Sequence, residues 1–370
     1  METILAHAQG LVYTLLNLMP SAYQRDSLQV MLGLFLEAQG HPLPQQAKAK
    51  SPSALSRFLN HYSWSTRSVI RAARGAVLEQ LCAYRPRGRR PHLQAIIDLT
   101  TLEKRGKFKA FAHLLRVFHG KRGIHLVVLY LVVGPWRIPW NFRLYRGKGT
   151  TTPAQLALRL VRHLPVQLKQ RFKVTVLADT AFGSVEFLKG IGKLKHHAIV
   201  GVRCDRILSD GRTLKQLHKP GAQVRLRSCP LPVTIAWFYL ERDGKRVKRF
   251  VLSTRPMKAS TLKWWGKRRW QIEGWFKTAK HRFGLHRFAQ KTQQGLYRWL
   301  VLSLIAYLLA HWLYLSSSSS APPDWREAAQ LALVTLLPQL VAALMLFEVI
   351  DKRQLLRSQG FEVQITCCKM

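Results

Sequence analysis

The chain has 370 residues, 48% of them hydrophobic, enough for a large core or for two to three domains without disulfide or metal staples. Lys and Arg number 59 against 18 Asp and Glu, a formal net charge of +41. Self-repulsion on that scale opposes compaction, which argues against a merely soluble globular protein and for a polyanionic partner, nucleic acid first and an anionic membrane surface second.

Apolar residues recur at three- and four-residue spacing through Leu11, Leu15, Leu16 and Met19, then through Val30, Leu32, Leu34 and Leu36, so residues 1–83 read as helical. Ser53 is placed to cap a helix to about Asn60, and Ser65 a second helix from Thr66 to about Cys82. Joined by HYSW, with Arg67, Arg71 and Arg74 on the second, the two form either a DNA-binding helix-turn-helix or a helical hairpin with a solvated basic face. The basic, Pro/Gly-broken run YRPRGRRPH at 84–92 suits a linker.

Beyond it the texture changes. LQAIIDLT (93–100) is a buried-strand run, and IHLVVLYLVV and IPWNFRLY form a strand pair around Gly134-Pro135. A helix is expected from Pro153 to about Lys169, a strand at 173–180, a helix from Ser184 to about Lys195 and a strand at 197–204. This β-β-β-α-β-α-β order describes a mixed α/β sheet with flanking helices, as in the RNase H-like fold. Residues 205–254 are strand-rich, with a turn at Asp243-Gly244, and fit a β insertion. A long helix is expected from Ala259 to about Arg282, and SSSSSAPP at 316–323 is a low-complexity break. Residues 324–350 read as a helix pair kinked at Pro338.

The apolar runs 299–315 and 328–350 approach the ~20 residues of a bilayer span. Helices buried in a large core suit them better, because His311, Gln330, Gln339, Glu348 and Pro338 interrupt them; a membrane hairpin is the alternative. The five cysteines (Cys82, Cys204, Cys229, Cys367, Cys368) form no CxxC pair and read as reduced thiols of a cytoplasmic protein, and the N-terminus lacks signal-peptide features.

With so few acids, the carboxylates stand out. Asp98 closes the run LQAIID and Asp179 closes VTVLAD. A carboxylate ending a buried strand is costly to desolvate unless something positive faces it. Taken singly each is equally a turn or capping aspartate; as a pair at one edge of this sheet they point to function. Glu273 is the only carboxylate between Asp243 and Asp324. On a helix, Arg269, Glu273, Lys277 and Lys280 share one stripe, and the local surplus of Lys and Arg suits a DNA backbone passing the carboxylate; a salt-bridged surface face is the alternative. Two strand aspartates and a helical glutamate can bind two Mg²⁺ ions, with Mn²⁺ as a substitute, for in-line phosphodiester chemistry.

RWQIEGWFKTAK (269–280) resembles the YREK signature, Y-x2-R-x3-E-x6-K, of bacterial insertion-sequence DDE transposases, the insertion sequence four superfamily. Arg269, Glu273 and Lys280 fall on its R, E and K, whereas Gly266 stands at the tyrosine position. IIDLT and VLADTAFGS resemble the family's two Asp motifs, and the stretch between Asp179 and Glu273 its β insertion. The resemblance implies that Asp98, Asp179 and Glu273 are a metal-binding catalytic triad and that Arg269 and Lys280 hold the DNA backbone. It further implies a homodimer synapsing two element ends, an N-terminal region that binds terminal inverted repeats, and, in some relatives, a DNA hairpin with an aromatic stacked on a flipped base. Trp237 is a candidate for that stacking role, with an ordinary core tryptophan as the plainer reading.

The expected organisation is a helical DNA-binding domain at 1–83, a basic linker at 84–92 and a catalytic domain at 93–204 and 255–315. That domain is interrupted by the insertion at 205–254, then followed by a Ser/Pro linker at 316–323 and a C-terminal helical region at 324–370. The expected function is cut-and-paste transposition on double-stranded DNA in the bacterial cytoplasm, associated with the nucleoid and not with a membrane. An inactive transposase-derived DNA-binding protein and a basic membrane-associated protein are the competing readings.

Overall fold

The computed structural model describes residues 2–37, 39–86, 90–106, 108–118, 120–242, 244–317 and 323–364. Two units divide the chain, one of Met1–Ala76 with Thr278–Met370 and one of Val77–Lys277. Of the regions singled out above, 87–89 in the basic linker, Asp243, 318–322 in the Ser/Pro stretch, and Cys367 with Cys368 lie outside the described residues.

The chain opens with four helices, α1 (Glu2–Asn17), α2 (Ala22–Glu37), α3 (Pro52–Asn60) and α4 (Thr66–Ala83). The cap of α3 is Ser51, not the expected Ser53: Pro52 takes the first helical position, where its missing N–H costs nothing, and Ser51 accepts from the Ala54 amide. Ser65 accepts from the Ser68 amide at the start of α4, as expected. Arg67 and Arg71 are exposed one turn apart on α4, and Arg74 is half-buried.

In the second unit lie β1 (His92–Glu103), β2 (Arg116–Phe118), β3 (Lys121–Val133), β4 (Trp136–Tyr145), α5 (Pro153–Arg162), α6 (Val166–Arg171), β5 (Lys173–Ala178), α7 (Val185–Lys193), β6 (His197–Val202), β7 (Ala222–Arg225), β8 (Pro232–Arg242), β9 (Lys245–Ser253), α8 (Ala259–Arg268) and α9 (Gln271–His281), the last of which runs past Lys277. The helix expected at 153–169 is two, because Pro165 cannot continue α5. The strands form one mixed sheet in the order β2-β3-β1-β5-β6-β9-β8-β7, with β4 also on β3. Only β1-β5 and β5-β6 are parallel, and these central strands carry near-continuous apolar runs, as strands covered on both faces must. The strand-rich insertion is no separate layer: β9 pairs with β6, so β7–β9 continue the same sheet.

The remaining helices, α10 (Gln293–Ser316), α11 (Trp325–Leu336), α12 (Pro338–Asp351) and α13 (Arg353–Ser358), belong to the first unit. By length and apolar composition α10 could cross a membrane, but it is buried nearly all round by α1, α2, α3 and α11. That matches the sequence feature of a helix apolar on every side. The pair α11–α12 bends by 97° at Pro338, as its proline predicts. Arg298 of α10 is wholly buried and donates to the carbonyls of Phe58, Leu59, Tyr62 and Trp64, so it ties together the turn between α3 and α4.

Candidate active site

The register of the parallel strands brings the two aspartates side by side. Ile97 of β1 lies opposite Ala178 of β5 in the last pair of that ladder, and Asp98 and Asp179 each follow directly. At Asp179 the chain leaves the sheet in a 3-10 turn, Thr180–Phe182, and its carboxyl is nearly half exposed. Gly201 on β6 permits that turn: a Cβ there would lie 2.8 Å from Thr180 Oγ1. Asp98 sits inside the sheet, with 14% of its side chain exposed, and Oδ1 accepts from the Leu99 amide at 2.7 Å.

The continuous helix expected from Ala259 to Arg282 does not form. It breaks between α8 and α9 at Arg269 and Trp270, and α9 starts afresh with Glu273 in its first turn. Ile272, Trp275 and Phe276 form the buried stripe of α9, Trp275 stacks on Tyr130 of β3 at 5.3 Å, and Gln271 Nε2 donates to Gln94 Oε1 of β1. These contacts fix α9 on the sheet and carry Glu273 to the aspartates.

Arg269, at the break, joins the three. Nη1 donates to Asp98 Oδ2 at 2.9 Å, Nη2 donates to Glu273 Oε1 at 2.6 Å, and Nη2 lies 3.9 Å from Asp179 Oδ1. One guanidinium thus faces all three carboxylates that the sequence singled out. Desolvation pushes the Asp98 carboxyl up to about 7; Arg269 pulls it down, Asp179 and Glu273 push it up, and the Leu99 amide pulls it down. As the side chains stand, no three of the described His, Cys, Asp or Glu residues form a group close enough to hold a metal ion. The donor set nevertheless suits a hard cation: three carboxylates of the kind that bind Mg²⁺ surround a single positive group.

Beside Asp179, Arg269 and Glu273 opens a cavity of about 790 Å³, lined also by Arg203, Lys248 and the half-exposed Trp270. Sequence reasoning passed over these three. Trp270 adjoins the motif that located Arg269 and could have been found there, whereas Arg203 and Lys248 reach the cavity only through strand pairing distant in sequence. Trp237 is not among the cavity's walls: it is 9% exposed on β8, with the Lys248 ammonium 4.2 Å over its ring and Phe250 beside it. Lys277 is exposed on α9 and Lys280 half-buried further along that helix. Arg67, Arg71 and Arg74 belong to the other unit. At the tyrosine position of the signature, a Cβ on Gly266 would already stand 3.3 Å from Phe238 and 3.4 Å from Val251, so α8 lies directly on β8 and β9 there.

A mixed sheet that sets two aspartates at adjacent parallel strands against a helical glutamate is the architecture of the RNase H-like fold. Residues 89–309 match the family model described as "Transposase DDE domain". This chain belongs to that family of transposases. In fold it is similar to the transposase in a structure titled "Cryo-EM structure of piggyBac transposase synaptic complex with hairpin DNA (SNHP)", with a TM-score of 0.51 and 12% identity over 90% of this chain and 77% of that one. A comparison with curated protein sequences gives no match.

Proposed function

We propose that the chain is a cut-and-paste insertion-sequence transposase of the YREK-signature branch, acting in the bacterial cytoplasm on double-stranded DNA, with Asp98, Asp179 and Glu273 as its catalytic carboxylates. The observation that carries this reading is the convergence of those three side chains on Arg269. Three carboxylates that converge on one positive group are the oxygen donors that two-metal phosphodiester chemistry takes from its protein ligands. Asp98, Asp179 and Glu273 would hold Mg²⁺, with Mn²⁺ as a substitute, which would supply Lewis-acid activation of the attacking oxygen and stabilisation of the leaving oxygen.

This chain's own residues do the remaining work. In the metal-free protein Arg269 offsets the mutual repulsion of the carboxylates and keeps them gathered. The planar fork of Arg269 is suited to bidentate contact with a DNA phosphate, a role it would take when its carboxylate partners held metal instead. Lys277, exposed one turn beyond Glu273, and Lys280, a further turn along, add backbone contacts on the same helix stripe. Arg67, Arg71 and Arg74 on α4 serve recognition of the terminal inverted repeats. A homodimer that joins two element ends in a synaptic complex is the assembly this reading implies. Trp237, closed over by Lys248, serves as core and not as a stacking platform.

The test is cleavage of duplex DNA carrying the element's terminal repeats by the full-length protein. Divalent-metal-dependent cutting is expected, reduced to background by Asp98→Asn, Asp179→Asn or Glu273→Gln while folding is kept. Robust cutting by any one variant removes that residue from the site. Binding without metal-dependent cutting by the unaltered chain would mark it as an inactive relic.

A further inference from the structure

The face of the sheet that holds the carboxylates carries a second, oppositely charged row. On β1 and β5, His92 pairs in register with Lys173, and the alternation of side chains puts both on the face of Gln94 and Thr175, the same face as Asp98. His197 of β6 lies opposite Thr175 and so shares that face. Ile199 pairs with Ser253 of β9, and Arg255 stands two residues beyond that pair, as His197 does on β6. Four neighbouring strands, β1-β5-β6-β9, thus bring four basic residues to one edge. Trp265 of α8, set against the His92 ring at 5.5 Å, confirms that this edge belongs to the face that α8 covers.

Nothing in the fold accounts for this gathering. None of the four makes an ion pair with an acidic side chain among the described residues, in a unit where Arg203, Arg212 and Arg269 each have one. His92 is exposed, and Lys173, His197 and Arg255 are half-buried, so the row is open to solvent. Its members also feel one another. Burial first, then Lys173 and Arg255, depress the pKa of His92; burial, then Arg255 and Lys173, depress that of His197. Lys173 and Arg255, facing the same two imidazoles without a counter-charge, leave this edge positive, and a bound anion relieves that unfavourable charge.

We infer that His92, Lys173, His197 and Arg255 form a phosphodiester-binding row at the amino-terminal edge of the parallel strands. His92 precedes Asp98, and Lys173 precedes Asp179, by six residues on the same face, about 20 Å along extended strands. The phosphate taken by the row is therefore a different one from that at the carboxylates. In duplex terms the separation corresponds to about six base pairs, so the row grips DNA flanking the cleavage position. It reads no sequence, since phosphates carry none.

The inference rests on the DNA-binding reading above and is tested separately from it. Binding of a random-sequence duplex by full-length protein, with metal withheld, is measured from 50 to 200 mM salt. Counterion release gives a slope of about −0.9 in log K against log salt per phosphate contact. Lys173→Gln with Arg255→Gln is expected to flatten the slope by about 1.8. The control pair, Arg159→Gln with Arg162→Gln on the exposed side of α5, removes the same net charge and is expected to leave the slope nearly unchanged. Equal flattening by both pairs, or by neither, overturns the row. Should the double variant fold poorly, Lys173→Gln alone, at the half-buried start of β5, must still flatten the slope measurably, and an unchanged slope there overturns the inference. A wild-type slope near zero would sink the DNA-binding reading itself.

Discussion

Arg269 and Asp98 form an ion pair at 2.9 Å in which both side chains are largely buried, 13% and 14% exposed, while the same guanidinium also reaches Glu273. Breaking a buried pair from one side leaves a charge with no partner, typically at a cost of about 3–5 kcal/mol. Arg269→Met is therefore expected to lower the stability of the metal-free protein by about 3 kcal/mol at pH 8, measured by denaturant unfolding in chelator. At pH 5.5, where Asp98 can take a proton, the loss should shrink. Equal losses at both values would show that the three carboxylates do not depend on this guanidinium.

Asp98 sets the sign of a second pH effect. Its pKa in the folded chain stands at about 7, above its ordinary value of 3.8, so between these values the folded state binds more protons than the unfolded. Its contribution to stability is thus fully present below pH 4 and is lost as the pH climbs to 7. The swing is about 4 kcal/mol at most, from 1.36 kcal/mol per pKa unit. Asp98→Asn removes the buried charge while Arg269 keeps Glu273 as its partner, so it should raise the melting temperature of the metal-free protein by several degrees at pH 8, with a smaller gain at pH 5, while abolishing cleavage. A lower melting temperature at pH 8 would mean that pairing outweighs desolvation at this residue.

Arg298 tests the helical unit. It donates to four main-chain carbonyls and, through Nε, to Thr66 Oγ1, lies 4.0 Å over the Trp64 ring, and has no carboxylate partner among the described residues. Burial pulls its pKa down to about 10, still high enough to keep it charged at neutral pH. Arg298→Met strands those carbonyls and should cost about 3–5 kcal/mol. Arg298→Lys keeps the charge but not the planar fork, and an intermediate loss is expected in urea unfolding. If lysine matched arginine, the fork geometry would be irrelevant to the α3–α4 turn.

Much of this arrangement is legible in the sequence. The apolar runs ending in Asp98 and Asp179 foretold one acid on a central strand and one just past the end of its neighbour, because strands covered on both faces carry such near-continuous apolar runs. Glu273 stood out as the only acid in a long basic stretch. The break at Arg269 left no such mark: KRRWQIE is acceptable helix sequence, and only the docking of Trp275 on Tyr130 and Gln271 on Gln94 decides that α9 starts anew. The merging of β7–β9 with the central sheet was equally hidden, since it depends on a β6–β9 pairing some fifty residues apart. The fate of Trp237 turned on Lys248, a neighbour across the hairpin, which no spacing rule names.

Gly266 is where the chain departs from the signature it resembles, and packing explains the residue. A Cβ there would meet Phe238 at 3.3 Å, tighter than ordinary contact, and Val251 at 3.4 Å, so a tyrosine at this position presses on the β8–β9 hairpin. Restoring the signature by Gly266→Tyr should therefore impair the protein and not improve it: overpacking of this kind costs about 1–3 kcal/mol. Because α8 leads directly into Arg269, lifting it from the sheet should also reduce cleavage more than DNA binding. Phe238→Ala opens space at the nearest contact, so the double variant Gly266→Tyr/Phe238→Ala should be more stable than the sum of the two single losses predicts. Strict additivity in that cycle, or a tyrosine variant as stable and active as the parent, would show that α8 is free to move and that the glycine has no packing role.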